Sequence, residues 1–409
     1  MMQVMMEARE RDHCDVLVAG GGIAGFCAAI AARRAGARVL LVEEMGCLGG
    51  NATSGGVGAF CGETRGQGAV FDDIITRLER LDAIAQYKRY EEREARQFDH
   101  QVLAYVLQEM AAEAGVEVLL FTHAAAAVRE RERVSAVILS NRSGLSLAPA
   151  RVIIDATGEA CVARAVGLPV QPDGTGALPM SVMFFMREVK KPEALSPAAA
   201  DAELAGDPPM ISRWPEPHGK LGVKVKVVGY DAADGDSLTQ AEMAGRRMAW
   251  RVANHLRAGD LAAHVFDNFS ARIGIREGRR ILGDYTLTEQ DVRAGRRFDD
   301  GIALGRFYLD YHDPSTPRRV SRFDRAHAQV PPYHIPYRCL IARGARNVLA
   351  AGRCFSADRV ALSSARVMTT CAMMGQAAGL AAAMAPDGDV RSISAAALVE
   401  SLRRRGAEL

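Results

Sequence analysis

The chain has 409 residues, of which 49% are hydrophobic and 24% charged, with a formal net charge of +2. That length exceeds one simple core and calls for two connected domains, and the composition is that of a globular rather than a disordered chain. The near balance of charge gives no electrostatic ground for binding nucleic acid or an acidic membrane surface.

Residues 15–25 read DVLVAGGGIAG. VLVAG is a buried-strand pattern, Ile23 to Arg34 an alanine-rich helix that Gly36 can end, and ARVLLVEE a second buried strand. In that setting Gly20 permits the tight strand-to-helix turn, Gly22 lets the backbone approach a pyrophosphate, and Gly25 lets helix and strand pack closely. Ile23 and Ala24 open the helix, whose unpaired N–H groups and partial positive charge favour an anion. Glu43, with Glu44 beside it, closes the second strand, where an acidic side chain can accept hydrogen bonds from ribose hydroxyls. The expectation is a bound dinucleotide.

Residues 46–68 are too rich in glycine for helix or strand and suit a loop that lies against a flat ligand. Residues 69–93 read as helix. Val102, Leu103, Val106, Leu107 and Met110 give an amphipathic helix, entered near Asp99 as N-cap and closed by Gly115. VEVLLFT then resumes a parallel sheet. Strand-like pieces follow at 124–129, 134–140 and 150–154, the last running into a turn at Gly158 and a helix, a meander more typical of flavin enzymes than of dehydrogenases using soluble nicotinamide. Prolines from 190 to 219 mark an irregular excursion. Beyond it come the strand LGVKVKVVGY, a helix from about 239 to 257, and charged loops to about residue 332. From Asn347 the early pattern returns as the strand NVLAAG, a glycine turn and a long small-residue helix. We therefore expect an α/β fold with a Rossmann-like nucleotide-binding domain, residues 1–168 and 333–409, and an inserted α+β domain, residues 169–332. No period of 20–50 residues repeats, so a solenoid or propeller is not expected.

Eight cysteines occur without a CxxC pair, which argues against a thioredoxin-type disulfide, a zinc ribbon or an iron–sulfur cluster and suits reduced cytosolic thiols. No secretory signal is read at the N-terminus. Residues 367–385 are apolar but contain Thr369, Thr370, Gly375, Gln376 and Gly379, so a buried helix is expected there rather than a membrane span. A cytoplasmic protein without membrane or nucleic-acid partners follows; association with a second copy stays open.

The motifs DVLVAGGGIAGFCAAIAARRAGARVLLVEE, GCLGGNAT, IIDATGEA, RIGIREGRRILGDYTLTEQDV and HIPYRCLIARGARNVLAAGRCFSADRVALSSARVMTTCAMMGQAAG, in this order, resemble the FAD-dependent oxidoreductase family in the broad glutathione-reductase-like group of flavoproteins. The resemblance spans nearly the whole chain. It implies FAD extended across the first domain, with the isoalloxazine ring at the interface with the insertion. Gly20, Gly22 and Gly25 would then bind the pyrophosphate and Glu43 the adenosine ribose. Gly49, Gly50, Asn51 and Ala52 would border the middle of the cofactor and its flavin end. Asp155, Ala156, Thr157 and Gly158 would pack beside the pyrophosphate and adenine, Gly352 and Arg353 by the ribityl chain. The helix beginning near Arg366 would point its positive end at the flavin. Cys47 departs from the family pattern, and a small space-filling role is the simpler reading.

Candidate chemistry beyond the cofactor lies in two segments. Arg272, Arg276, Arg279 and Arg280 come close together, and Arg276 and Arg280 would share a face of a helix; they suit either an anionic substrate or structural pairing with Glu277 and Asp284. His334, Tyr337 and Arg338 precede the return to the first domain and are expected on the substrate side of the flavin, where a histidine can exchange a proton near neutral pH. No GxSxG elbow appears, and His312 with Asp313 lacks a third metal ligand. A second nucleotide fingerprint is not evident, since GIALG at 301–305 lacks the strand before it and the acid after it. The expected activity is hydride transfer to FAD from a small polar metabolite, anionic if the arginines serve substrate, with an unidentified electron acceptor. An NAD(P)H-dependent flavin monooxygenase and an electron-relay subunit without its own substrate are the alternatives.

Overall fold

The computed structural model describes residues 7–85, 89–90, 93–171, 177–192, 210–318 and 321–409. Strand β1 (Cys14–Ala19), helix α1 (Ile23–Arg34) and strand β2 (Val39–Val42) form the opening unit. Nearly every residue of both strands is buried, as expected of strands covered on both faces. Gly36, at φ 94°, closes α1 with a bond from Ala37 N–H back to the Ala32 carbonyl, the Schellman ending that glycine favours.

Helix α2 covers Ala69–Arg80 and not residues 69–93. Asp82 adopts a left-handed conformation, and the N–H groups of Asp82 and Ala83 close on the carbonyls of Glu79 and Leu78. That is the same helix ending without a glycine to announce it, and short strands at Arg89–Tyr90 and Arg93–Gln97 follow. Helix α3 (His100–Ala114) begins where Asp99 caps the N–H groups of Gln101 and Val102 and ends at Gly115. Strand β3 (Glu117–Leu119) then joins β2 in parallel.

Strands β4 (His123–Glu130), β5 (Arg133–Asn141) and β6 (Gly144–Asp155) make the meander. β6 is longer than the expected 150–154 because it serves two sheets. Its first half pairs antiparallel with β5, and its second half lies parallel to β1, Val152 opposite Val16.

The insertion builds its own four-stranded antiparallel sheet from β7 (Met180–Glu188), β8 (Ile211–Glu216), β9 (Lys220–Val227) and β10 (His264–Phe269), in the order β8-β9-β7-β10. Pro215 sits on the edge strand β8, where a missing N–H is tolerated. The stretch 193–209 of the proline-rich excursion lies outside the described residues. Alternation sends Val182, Phe184, Val223 and Val225 into a core with helix α4 (Gly235–Ala258). Ser181, Met183, Lys224 and Lys226 occupy the opposite face, with Met183 paired to Lys224 and Ser181 to Lys226.

The chain returns to the first core before residue 333. Leu287, Val292, Ile302 and Leu309 pack there with Tyr333 and Ile335, and β11 (Gly301–Gly305) pairs with β12 (Tyr333–Pro336) across the expected boundary. β13 (Val348–Ala350) completes the parallel sheet beside β6, and helix α5 (Met368–Ala383) lies against α1. A Cβ added at Gly375 or Gly379 would stand 2.1 Å from the Ala24 or Ala28 carbonyl oxygen. The small residues of α5 thus serve helix-to-helix approach. Helix α6 (Ala395–Arg404) follows, and among the described residues no helix is long and apolar enough to cross a membrane.

Candidate functional site

A cleft of about 380 Å³ runs from the β1–α1 turn to Arg276 and the start of α5. At its near end Gly20 takes φ 99°, and a Cβ there would lie 2.4 Å from the Ala156 oxygen. A Cβ at Gly25 would lie 1.9 Å from the Gly20 oxygen, whereas one at Gly22 would meet nothing within 4 Å. Gly20 and Gly25 are therefore small because the protein fills the space, and Gly22 because it fronts the cleft. Gly22 is also the N-cap of α1 and gives the first turn no side-chain cap, which leaves donors for an anion.

Glu43 is buried beside this turn, accepting from Gly21 N–H at 2.7 Å and Met45 N–H at 2.9 Å. Burial pushes its carboxyl up, opposed by those N–H groups and Arg272. Glu44 pairs with Arg272 and lies 3.5 Å from His123 at the same end. Asp155, at the end of β6, is wholly buried and accepts from Val162 and Ala163 N–H. It holds the turn in which Ala156, Thr157 and Gly158 border the cleft.

Gly49, Gly50, Asn51 and Ala52 line the middle. Asn51 donates to the Ile275 carbonyl at 2.8 Å, leaving its Oδ1 buried and unpartnered. Opposite, Gly352 turns the chain at φ 79°, and Arg353 reaches the Gly158 carbonyl, the Ile275 carbonyl and Glu159. Cys47 stays outside the lining, its Sγ 3.7 Å from the Thr53 hydroxyl.

The far end is bounded by Arg276, Arg366, Met368 and Cys371. The segment around Arg276 is irregular, so the shared helical face expected for Arg276 and Arg280 does not form. Arg276 donates from Nη1 to the Pro179 carbonyl and the Ser181 hydroxyl, both at 2.7 Å. Burial, then the nearby Arg366, lowers it to about 10. Arg366 pairs with Asp310 at 3.0 Å, and His312 stands 3.2 Å from the same carboxylate. Burial alone would raise Asp310, but His312, Arg366 and Arg276 hold it far below the usual carboxylate range. Burial, then Arg276, lowers His312 to about 3, which leaves the imidazole neutral at pH 7.

The other expected catalytic side chains lie elsewhere. Arg280 is buried against Glu277 at 2.6 Å, and Arg359 meets the same carboxylate at 2.8 Å, a structural pairing. His334 is held by Phe298 N–H and Arg297. Tyr337 donates to the Val390 carbonyl, and the half-exposed Arg338 pairs with Asp300. None of these four lines the cleft. The sequence did not single out Glu159, Lys224 or Asp310; it offered Arg272 within the arginine cluster and His312 only as a metal ligand that lacks companions. Only the alternating lysines of KVKV carried a signal, and they also fit an ordinary exposed strand face.

A profile of the FAD dependent oxidoreductase family matches residues 15–402. The chain belongs to that family. Among solved structures it resembles a geranylgeranyl bacteriochlorophyll reductase-like protein from Thermoplasma acidophilum, at 13% identity over 96% of this chain and 83% of that one, TM-score 0.52. It also resembles CabE, an aromatic hydroxylase from angucycline biosynthesis, at 16% identity over 96% and 66%, TM-score 0.50. A triple mutant of the flavin-dependent brominase Bmp2 aligns at 13% identity over 96% and 84%, TM-score 0.50. At such identities the likeness establishes the fold. No curated protein matches the sequence. The family makes FAD the dinucleotide, and the cleft fits it: open space at Gly22, an uncapped helix end, and the unpartnered Asn51 oxygen.

Proposed function

We propose that this FAD-dependent oxidoreductase oxidises a small polar, anionic metabolite by hydride transfer to the flavin. In this reading FAD supplies the two-electron acceptor, and the chain's residues do the rest. Gly22 and the α1 N-terminus hold the pyrophosphate, Glu43 the ribose, and Asn51 and Arg353 flank the middle. The α5 N-terminus, which has no side-chain cap, faces the far end with its partial positive charge.

The observation that carries the reading is the buried cationic end of the cleft, where Arg276 leaves part of its guanidinium unspent and has no carboxylate partner among the described residues. A buried guanidinium that no carboxylate contacts, the nearby Asp310 being paired with Arg366, favours an anionic ligand. GIALG supports a substrate-driven reduction, because it is the buried strand β11 and not a second nucleotide turn. Anaerobic mixing tests the reading: a library of small anionic metabolites should contain one that bleaches the flavin, while NADH and NADPH bleach it far more slowly. The fold shared with CabE, an aromatic hydroxylase, favours a second reading, an NAD(P)H-dependent monooxygenase. Rapid bleaching by NADPH, with oxygen incorporated into an organic product on aeration, would replace the first reading with the second.

A further inference from the structure

Lys224 has no place in the scheme above. It lies on β9 opposite Met183, on the sheet face that also carries Ser181, the anchor of Arg276. Ser181 and Lys224 are diagonal neighbours, about 7–8 Å apart on an antiparallel sheet. Lys224 is partly buried yet makes no hydrogen bond or ion pair among the described residues, whereas its strand neighbour Lys226 donates to the carbonyls of Asp313 and Thr316. The groups within electrostatic reach of Lys224 are Arg276, Asp310, Cys61, Arg366 and His312.

With His312 neutral and the Cys61 thiol raised by burial, Lys224, Arg276 and Arg366 contribute three positive charges against the single negative charge of Asp310. The balance is +2 in a largely buried space, a costly arrangement unless a ligand completes it. The cations come from three different elements, Lys224 on β9 and Arg276 and Arg366 on the lining of the far end. A ligand that answers a balance of +2 carries two negative charges.

We propose that Lys224, Arg276 and Arg366 form a binding site for a small dicarboxylate at the far end of the cleft. This rests on the proposed oxidation of an anionic metabolite and narrows its substrate class. Arg276 and Lys224 take the two carboxylates, and Asp310 holds Arg366 in place. Burial, then Arg276, brings Lys224 down to about 8. The site therefore loses a charge as pH rises through that value.

Calorimetric titration of the FAD-loaded protein with malonate, acetate and inorganic phosphate, at about pH 7 and about pH 9.5, tests the site. Malonate should bind at least about tenfold more tightly than acetate or phosphate at the lower pH, and weaken at the higher. Lys224→Met should weaken malonate about 10- to 100-fold, the effect of one charge-assisted contact. Lys224→Arg should retain binding and remove most of its pH dependence, because arginine does not titrate in this range. A merely structural lysine would not transfer the pH profile in this way. Wild-type protein that ignores malonate, phosphate binding as tight as malonate, or Lys224→Met binding like wild type overturns the inference. The flavin reading is judged separately, by the visible absorbance of the purified protein. A yellow protein that ignores malonate retires the dicarboxylate site alone; a colourless protein that binds malonate retires the flavin reading and keeps the site.

Discussion

At the end of the cleft proposed to take adenosine, the groups available to the cofactor are backbone donors and one carboxylate, supplied by the stretch from Gly20 to Glu43. At the far end they are side chains delivered by β9, the irregular segment around Arg276, the loop at Asp310 and the approach to α5. The first end is a local construction that many flavoproteins can share; the second depends on how the insertion packs against the first domain. In the proposed reading, cofactor choice and substrate choice are thereby separated in the chain, and changes at one end should leave the other largely intact.

The largest expected effect falls on the frame of the far end. Glu277 is buried between Arg280 and Arg359 and also accepts from Leu178 N–H. Glu277→Gln leaves two guanidiniums short of a counter-charge and should cost about 3–5 kcal/mol in urea unfolding, the range for breaking a buried pair. A loss below about 1 kcal/mol would mean that this network does not support the far end. At the near end, Gly22→Val should lower FAD affinity about a hundredfold, roughly 2.7 kcal/mol, while the apoprotein melts close to wild type, because the new side chain enters open space. Gly25→Ala supplies the contrast: its Cβ meets the Gly20 carbonyl, so folding itself suffers. If Gly22→Val carries FAD at full occupancy, the assignment of this turn fails.

The same contrast explains what could be read in advance. The clamp, the parallel strands and the small-residue helix were legible because each is a local pattern whose physical reason lies within about 30 residues. The end of α2 was hidden because an aspartate, Asp82, takes the left-handed position that glycine normally announces. The extra length of β6 escaped because a strand that changes sheets has no signature in its own residues. Arg276 and Arg280 are indistinguishable in RIGIREGRR. Only the fold gives one the Ser181 hydroxyl and the cleft, and the other the Glu277 carboxylate. Lys224 and Asp310 come together through tertiary packing alone.

Tyr337 tests whether the HIPYR segment is structural rather than catalytic. Its hydroxyl donates to the Val390 carbonyl at 2.9 Å in a buried setting, so Tyr337→Phe should cost about 0.5–1.5 kcal/mol of stability. The rate of flavin reduction should be unchanged. A fall in that rate without a change in stability would return Tyr337 to the reacting groups.

A pH-dependent effect concerns the seam between the two ends. Asp99 caps α3 and also accepts from Lys220 at 3.0 Å and lies 3.2 Å from His218, both on the insertion. Burial would raise its carboxyl, but Lys220 and His218 outweigh burial and bring it down to about 2. A carboxyl that is more acidic when folded contributes stability above the unfolded value near 4 and loses it as pH falls toward 2. The wild-type advantage over Asp99→Asn should therefore be full at about pH 5, shrink by about pH 3, and nearly vanish by about pH 2. Urea titrations of both proteins across that window measure it. An advantage that stays constant from pH 5 to pH 2 would show that the seam is held by packing, with the Asp99 charge contributing nothing that the amide does not.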